Sequence, residues 1–157
     1  MFDRKGQQIA RYDKIHLFGF NNGEESYQES NTITPGADVV HFSTVIGEVG
    51  LGICYDLRFP ELFRSMGQCG LMILPAAFTH VTGQAHWEVL LRARAIENQC
   101  YVLASAQGGL HQNGRRTWGH SMLIDPWGEV LAKLPEGEGF ISGVLCKDKL
   151  NEVRSKL

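Results

Sequence analysis

The chain has 157 residues, 43% of them hydrophobic and 20% charged, which suits one globular domain able to bury a real core. Fifteen basic against seventeen acidic side chains leave a formal charge of −2, so composition gives no reason to expect nucleic acid or an anionic membrane as a partner. The longest nearly unbroken apolar stretch, Leu71 to Phe78, is far below the roughly 18–20 residues of a bilayer crossing, and Met1-Phe2-Asp3-Arg4-Lys5-Gly6 lacks the apolar centre of a signal peptide. A cytoplasmic domain without membrane contact is expected.

In chain order, Asp3 to Gly6 reads as a turn and Gln8 to Tyr12 as a short strand, as though the chain began at the tip of a hairpin whose first strand is absent. Gly19 to Gly36 is polar and closed by Pro35-Gly36, which predicts a long loop without regular structure. Val39–Phe42 and Val45–Gly50 predict a strand pair turning at Ser43-Thr44. An apolar run from Val49 to Cys54 leads into a helix over Phe59–Met66, with Pro60 in its first turn, where a missing N–H costs little. Gly70–Leu74 reads as a buried strand. Ala85–Gln99 reads as a helix with Trp87, Leu90, Leu91 and Ala95 on one face, and Tyr101–Ala104 as a further buried strand. Asp125-Pro126-Trp127-Gly128 turns His120–Ile124 back onto Glu129–Leu134. Buried strands alternating with helices predict α/β layers.

Cys54, Cys69, Cys100 and Cys146 are 15, 31 and 46 positions apart, without the close pairs that a zinc site needs and without a secretory context for disulfides. Three of them are expected to be ordinary buried thiols, and nothing in the spacing calls for a metal or a cofactor. Cys54 stands where an apolar strand gives way to a helix, a corner that lifts a side chain clear of a sheet. By itself it would pass for a core cysteine, and Lys14 and Glu29 for surface charges. Asp56 and Arg58, placed beside Cys54 where packing gives no reason for charge, change that reading. Trp87 and Trp127 read as packing residues, Arg94 and Glu97 as structural or interface charges, and His16 and His120 as hydrogen-bonding framework.

Taken together, Arg11-Tyr12-Asp13-Lys14-Ile15-His16-Leu17-Phe18, then Gln28-Glu29-Ser30 with Thr34-Pro35-Gly36, then Gly52-Ile53-Cys54-Tyr55-Asp56-Leu57-Arg58-Phe59-Pro60-Glu61 closely resemble the carbon–nitrogen hydrolase (nitrilase) superfamily. Arg92 to Asn98 and Gly119 to Gly128 extend the likeness over nearly the whole chain, which looks most like the deaminated glutathione amidase branch. The resemblance implies one carbon–nitrogen hydrolase domain over residues 1–157, a four-layer αββα sandwich truncated at its N-terminus. It implies an amidase with Cys54 as nucleophile, Lys14 and the Tyr55 backbone N–H stabilising the oxyanion, Glu29 orienting the site, and Asp56, Arg58 and Glu61 in support. A small-molecule amide substrate and a homodimer follow from the same likeness. The general-base glutamate of the pattern matches nothing here; Glu24, Glu25 and Glu48 lie outside its motif. The alternative is a binding or scaffold chain that keeps the fold without turnover.

Overall fold

The computed structural model describes residues 1–157 except Asn22, Glu24 and Glu25. Met1 to Ala10 fold back through a tight turn in which Asp3 Oδ1 accepts the Lys5 and Gln7 N–H groups. The strand expected over residues 8–12 shrinks there to a single Phe2–Gln8 bridge. The segment expected as structureless loop instead holds a small antiparallel hairpin, β1 (Gly19–Asn21) and β2 (Ser26–Gln28), followed by a 3₁₀ turn over Glu29–Asn31. An aromatic cluster organises it: Phe18 lies 6.3 Å from Phe20 and 5.8 Å from Tyr27, centroid to centroid.

β3 (His41–Thr44) and β4 (Gly47–Leu51) pair as expected, but the turn sits at Val45-Ile46. Thr44 Oγ1 displaces it by donating to the Gly47 carbonyl (2.8 Å) and accepting the Ile46 N–H (3.2 Å), closing the turn two residues later than composition suggests. After a 3₁₀ turn over Cys54–Arg58 come α1 (Pro60–Ser65), β5 (Cys69–Ala76), α2 (His80–Asn98) and β6 (Tyr101–Ala106). The hairpin of β7 (Gly108–Leu110) and β8 (Arg116–Trp118), then β9 (Ser121–Ile124), β10 (Val130–Leu134) and α3 (Lys147–Lys156), complete the chain.

Six strands form one sheet in the order β10-β9-β6-β5-β4-β3. β4, β5 and β6 run parallel, as buried strands joined through helices do, and the outer pairings are antiparallel. Alternate residues of β5 face opposite sides: Met72 and Leu74 join Phe63, Trp87 and Leu91 under α1 and α2, whereas Leu71 packs with Val49, Tyr101 and Leu150 of α3. These are an α layer and a β layer of the sandwich that the resemblance implies. Among the described residues no helix is long and apolar enough to cross a membrane.

α2 starts five residues earlier than the periodicity suggests, because Gly83 breaks the apolar pattern. A Cβ at Gly83 would stand 2.2 Å from the Cβ of Trp118, so glycine lets the first turns of α2 lie directly on β8. Cys69 and Cys100 are buried as expected, but Cys146 is exposed: it precedes α3, and its backbone N–H and carbonyl meet the Tyr101 hydroxyl while the thiol faces outward. Trp127, expected to pack, is 56% exposed at the β9–β10 turn, where Asp125 Oδ1 takes its backbone N–H. Replacing Gly83 with valine should lower unfolding free energy by about 1–3 kcal/mol through overpacking against Trp118, read as a shift in denaturant midpoint. An unchanged midpoint would mean that α2 and β8 are not in contact.

Candidate active site

The three parallel strands end on one edge of the sheet, the side on which open α/β sheets bind ligands. Cys54 follows β4, Ala76 ends β5 with Ala77 and Phe78 beyond it, and Gln107 follows β6; together they wall a cavity of about 370 Å³. Cys54 adopts a left-handed backbone with φ of +50°, a conformation that costs a non-glycine residue about 1–3 kcal/mol. The surroundings hold it: Gly52 donates to the Ile73 carbonyl (3.1 Å), fixing the entry to the turn on β5, and Asp56 N–H donates to the Ile53 carbonyl (3.1 Å). Tyr55, second in the 3₁₀ turn, carries one of the N–H groups that such a turn does not use itself.

Asp56 is fully buried and joins two distant segments. Its Oδ2 accepts the Tyr12 hydroxyl (2.8 Å) and the Ile53 N–H (2.9 Å); its Oδ1 accepts the His16 N–H (3.0 Å) and lies 2.8 Å from His16 Nδ1. Burial and the bond to Asp56 push the Tyr12 hydroxyl well above the usual tyrosine range, so it remains a donor across the working pH range. His16 also stacks on Phe59, ring centroids 3.7 Å apart. The framework role expected of His16 is what the geometry gives, and His120 likewise meets the Trp118 carbonyl through Nδ1 (2.7 Å).

Between Tyr12 and His16, Lys14 is held with its ammonium in the cavity, only 8% exposed. It pairs with Glu29 Oε2, which also accepts the Phe18 N–H (2.7 Å). Gly36 donates to the Lys14 carbonyl (2.9 Å), and a Cβ at Gly36 would stand 2.2 Å from the Asp13 carbonyl oxygen, so Pro35-Gly36 is an approach that only glycine permits. Burial raises the Cys54 thiol above its ordinary value; a hydrogen bond with the Ala77 backbone and the charges of Lys14 and Arg115 oppose the rise, and Glu29 adds to it. Desolvation wins, so the resting sulfur is a thiol.

Arg58 lines the cavity with its guanidinium 5.3 Å from the Phe78 ring centre and 5.8 Å from that of Tyr55. Arg94, buried on α2, donates through Nε (3.1 Å) and Nη2 (2.8 Å) to the Leu57 carbonyl and through Nη1 to Glu97 (2.8 Å), clamping the far end of the Cys54 turn. Its structural role is therefore definite. Glu61 does not reach the cavity; it is exposed in the first turn of α1. Glu48, on β4, bonds with His41 and Ser43 of β3, and Glu24 and Glu25 lie outside the described residues. Sequence reasoning passed over Arg115, which enters from the β7–β8 hairpin; its signal is only an arginine after Asn113-Gly114, and only folding brings that turn to the cavity. Among the described residues no three His, Cys, Asp or Glu side chains stand close enough to share a metal ion.

Residues 1–154 match the carbon-nitrogen hydrolase family profile. Among curated proteins, the deaminated glutathione amidase of Yersinia enterocolitica is 45% identical over all of this chain and 56% of its own length. Among solved structures, Nit3 of Saccharomyces cerevisiae, a member of branch 10 of the nitrilase superfamily, superposes with a TM-score of 0.86 at 36% identity, over 99% of this chain and 55% of that one. An amidase from Nesterenkonia carrying acrylamide on its active-site cysteine gives a TM-score of 0.80 at 27% identity, over 99% and 59%. The chain thus spans a little over half the length of these relatives.

Two outcomes follow from the geometry. Asp56→Asn should cost about 2–4 kcal/mol in denaturant unfolding, because buried donors lose a charged acceptor; a loss of less than about 0.5 kcal/mol, the size of an ordinary surface substitution, would contradict its bridging role. The pH midpoint of iodoacetamide modification at Cys54, followed by peptide mass spectrometry, should lie above about 8.5, the value of a free thiol. Lys14→Met should move it higher still, since thiolate forms only as pH rises through that midpoint and the ammonium favours it. A midpoint lowered by Lys14→Met would show that the ammonium does not face the sulfur.

Proposed function

Because this chain belongs to the carbon–nitrogen hydrolase family, we propose that it carries the nucleophile and oxyanion pocket of an amidase that cleaves a non-peptide amide through a cysteine thioester. The observation that carries this reading is the meeting of Cys54, Lys14 and Glu29 in one cavity from three separate segments. The Cys54 thiol gives its proton to solvent, and Sγ, as thiolate, adds to the amide carbonyl carbon while the π electron pair moves to oxygen. The Lys14 ammonium and the Tyr55 N–H stabilise that oxyanion, each by a few kcal/mol at about the scale of an oxyanion-hole donor. Collapse breaks the C–N bond, the amine leaves with a proton taken from solvent, and water then hydrolyses the thioester to release the acid and restore the Cys54 thiol.

The substrate class we take from the curated relatives is deaminated glutathione or a related omega-amide. We place the protein in the cytoplasm as a homodimer joined through the outer face of α2, where Val81, Val89 and Ile96 are exposed at helical spacing. A second reading, a binding chain without turnover, has one observation in its favour: Glu29, the only carboxylate among the described cavity residues, already accepts from Lys14 and Phe18 and so orients rather than shuttles protons. Acid quenching during incubation with an omega-amide, followed by mass spectrometry, separates the two. The amidase reading predicts an acyl adduct on Cys54, absent in Cys54→Ala and formed about 10²- to 10³-fold more slowly in Lys14→Met. Substrate binding without any adduct would establish the second reading.

A further inference from the structure

The cavity that holds Cys54 does not end at the sulfur. It opens into a second, wider one of about 850 Å³, and the two share Phe18, Tyr27, Thr79, Thr82 and Arg115 in their walls. Arg115 stands at that junction and is held from three sides. Its backbone N–H donates to Asn113 Oδ1 (3.1 Å) and its carbonyl accepts the His111 N–H (2.9 Å), fixing the hairpin tip. Its guanidinium lies 4.8 Å from the Tyr27 ring centre and donates through Nη2 to the Ala77 carbonyl (3.3 Å). The hairpin itself is tied to the end of β5 by the Thr79–Thr117 bridge and by Trp118 N–H donating to the Phe78 carbonyl (3.0 Å).

The charges around it do not cancel. Lys14 is matched by Glu29 and Arg116 of the outer cavity by Glu136 at 3.6 Å, whereas Arg58 and Arg115 have no carboxylate partner among the described residues. Arg58 is turned to His86, 3.2 Å from Nη1, and to two aromatic faces. Arg115 spends one N–H on Ala77, which leaves the rest of its fork without a protein acceptor among the described residues. A planar fork, held over a tyrosine ring where two cavities meet, suits a carboxylate.

Resting on the amidase reading above, we propose that Arg115 binds a carboxylate of the substrate remote from the scissile amide, so that the inner cavity takes the reacting amide and the outer cavity the remainder of an elongated, anionic, peptide-like molecule. Arg115 is on this account a specificity-determining residue: it selects by charge and length, while Lys14 and the Tyr55 N–H act on the reacting carbonyl.

The test uses alkylation of Cys54, which needs no turnover. N-iodoacetyl-glycylglycine, with a terminal carboxylate, is compared with its neutral C-terminal amide, and the adduct at each cysteine is measured by peptide mass spectrometry. Cys54 should react about fivefold or more faster with the carboxylate reagent, the scale of one partly exposed ion pair. The exposed Cys146 of the same molecule should show no preference. Arg115→Gln should bring the Cys54 ratio close to that of Cys146, and Arg115→Lys should keep part of it; using a ratio cancels any general change in thiol reactivity or folding. A ratio at Cys54 no different from that at Cys146, or one that survives Arg115→Gln, overturns the assignment while leaving the amidase reading in place. Protection of Cys54 from both reagents, like that of buried Cys100, removes the amidase reading and the assignment together.

Discussion

One buried carboxylate holds the site together. Asp56 gathers the Tyr12 hydroxyl, the His16 N–H and ring nitrogen, and the Ile53 N–H, so residues some forty positions apart share a single acceptor. A carboxylate removed from water is costly unless its lone pairs are filled, and here all four contacts come from groups that would otherwise need partners of their own. The consequence is positional. Lys14 lies between two residues that Asp56 grips, and Cys54 lies between Ile53, which Asp56 also grips, and Asp56 itself. The ammonium and the sulfur are therefore placed by one bolt rather than by separate loops.

The sheet supplies the second constraint. β4, β5 and β6 end side by side, and the left-handed turn at Cys54 is tolerated because backbone bonds on both sides of it, and the Arg94 clamp on Leu57, leave no relaxed alternative. Strain held this way fixes the direction of the thiol. Its protonation is decided by competing effects of unequal size: burial opposes the thiolate and exceeds the help from Lys14, Arg115 and the Ala77 backbone. A sulfur that rests protonated is spared adventitious oxidation and becomes a nucleophile only when its proton is taken.

Much of this was legible in the residues, and the parts that were not share a physical reason. The buried strands around Leu71–Leu74 and Tyr101–Ala104 and the helix after Pro60 announced themselves by composition, since apolar runs and a first-turn proline have local causes. The likeness of the segments around Lys14, Glu29 and Cys54 to a known family pointed to their convergence, which no spacing rule could supply. α3 was missed because only Leu150 and Val153 of its residues are buried among charges, too sparse a stripe for periodicity. The start of α2 was hidden by Gly83, whose purpose is contact with Trp118 across the fold. Arg115 was missed for the same cause: a turn at the tip of one hairpin acquires meaning only when β8 is docked on the residues that follow β5.

The convergence itself is open to direct measurement. A short reagent bearing an iodoacetyl group and an amine-reactive ester, carrying a spacer of only two carbons, can join a thiol to a lysine only when both line the same small cavity. Digestion and mass spectrometry of the treated native chain should yield a Cys54–Lys14 peptide as the main product from Cys54, and it should vanish in denaturant. Cross-linking of Cys54 to other lysines, with Lys14 joined only elsewhere, would contradict the arrangement on which the account rests.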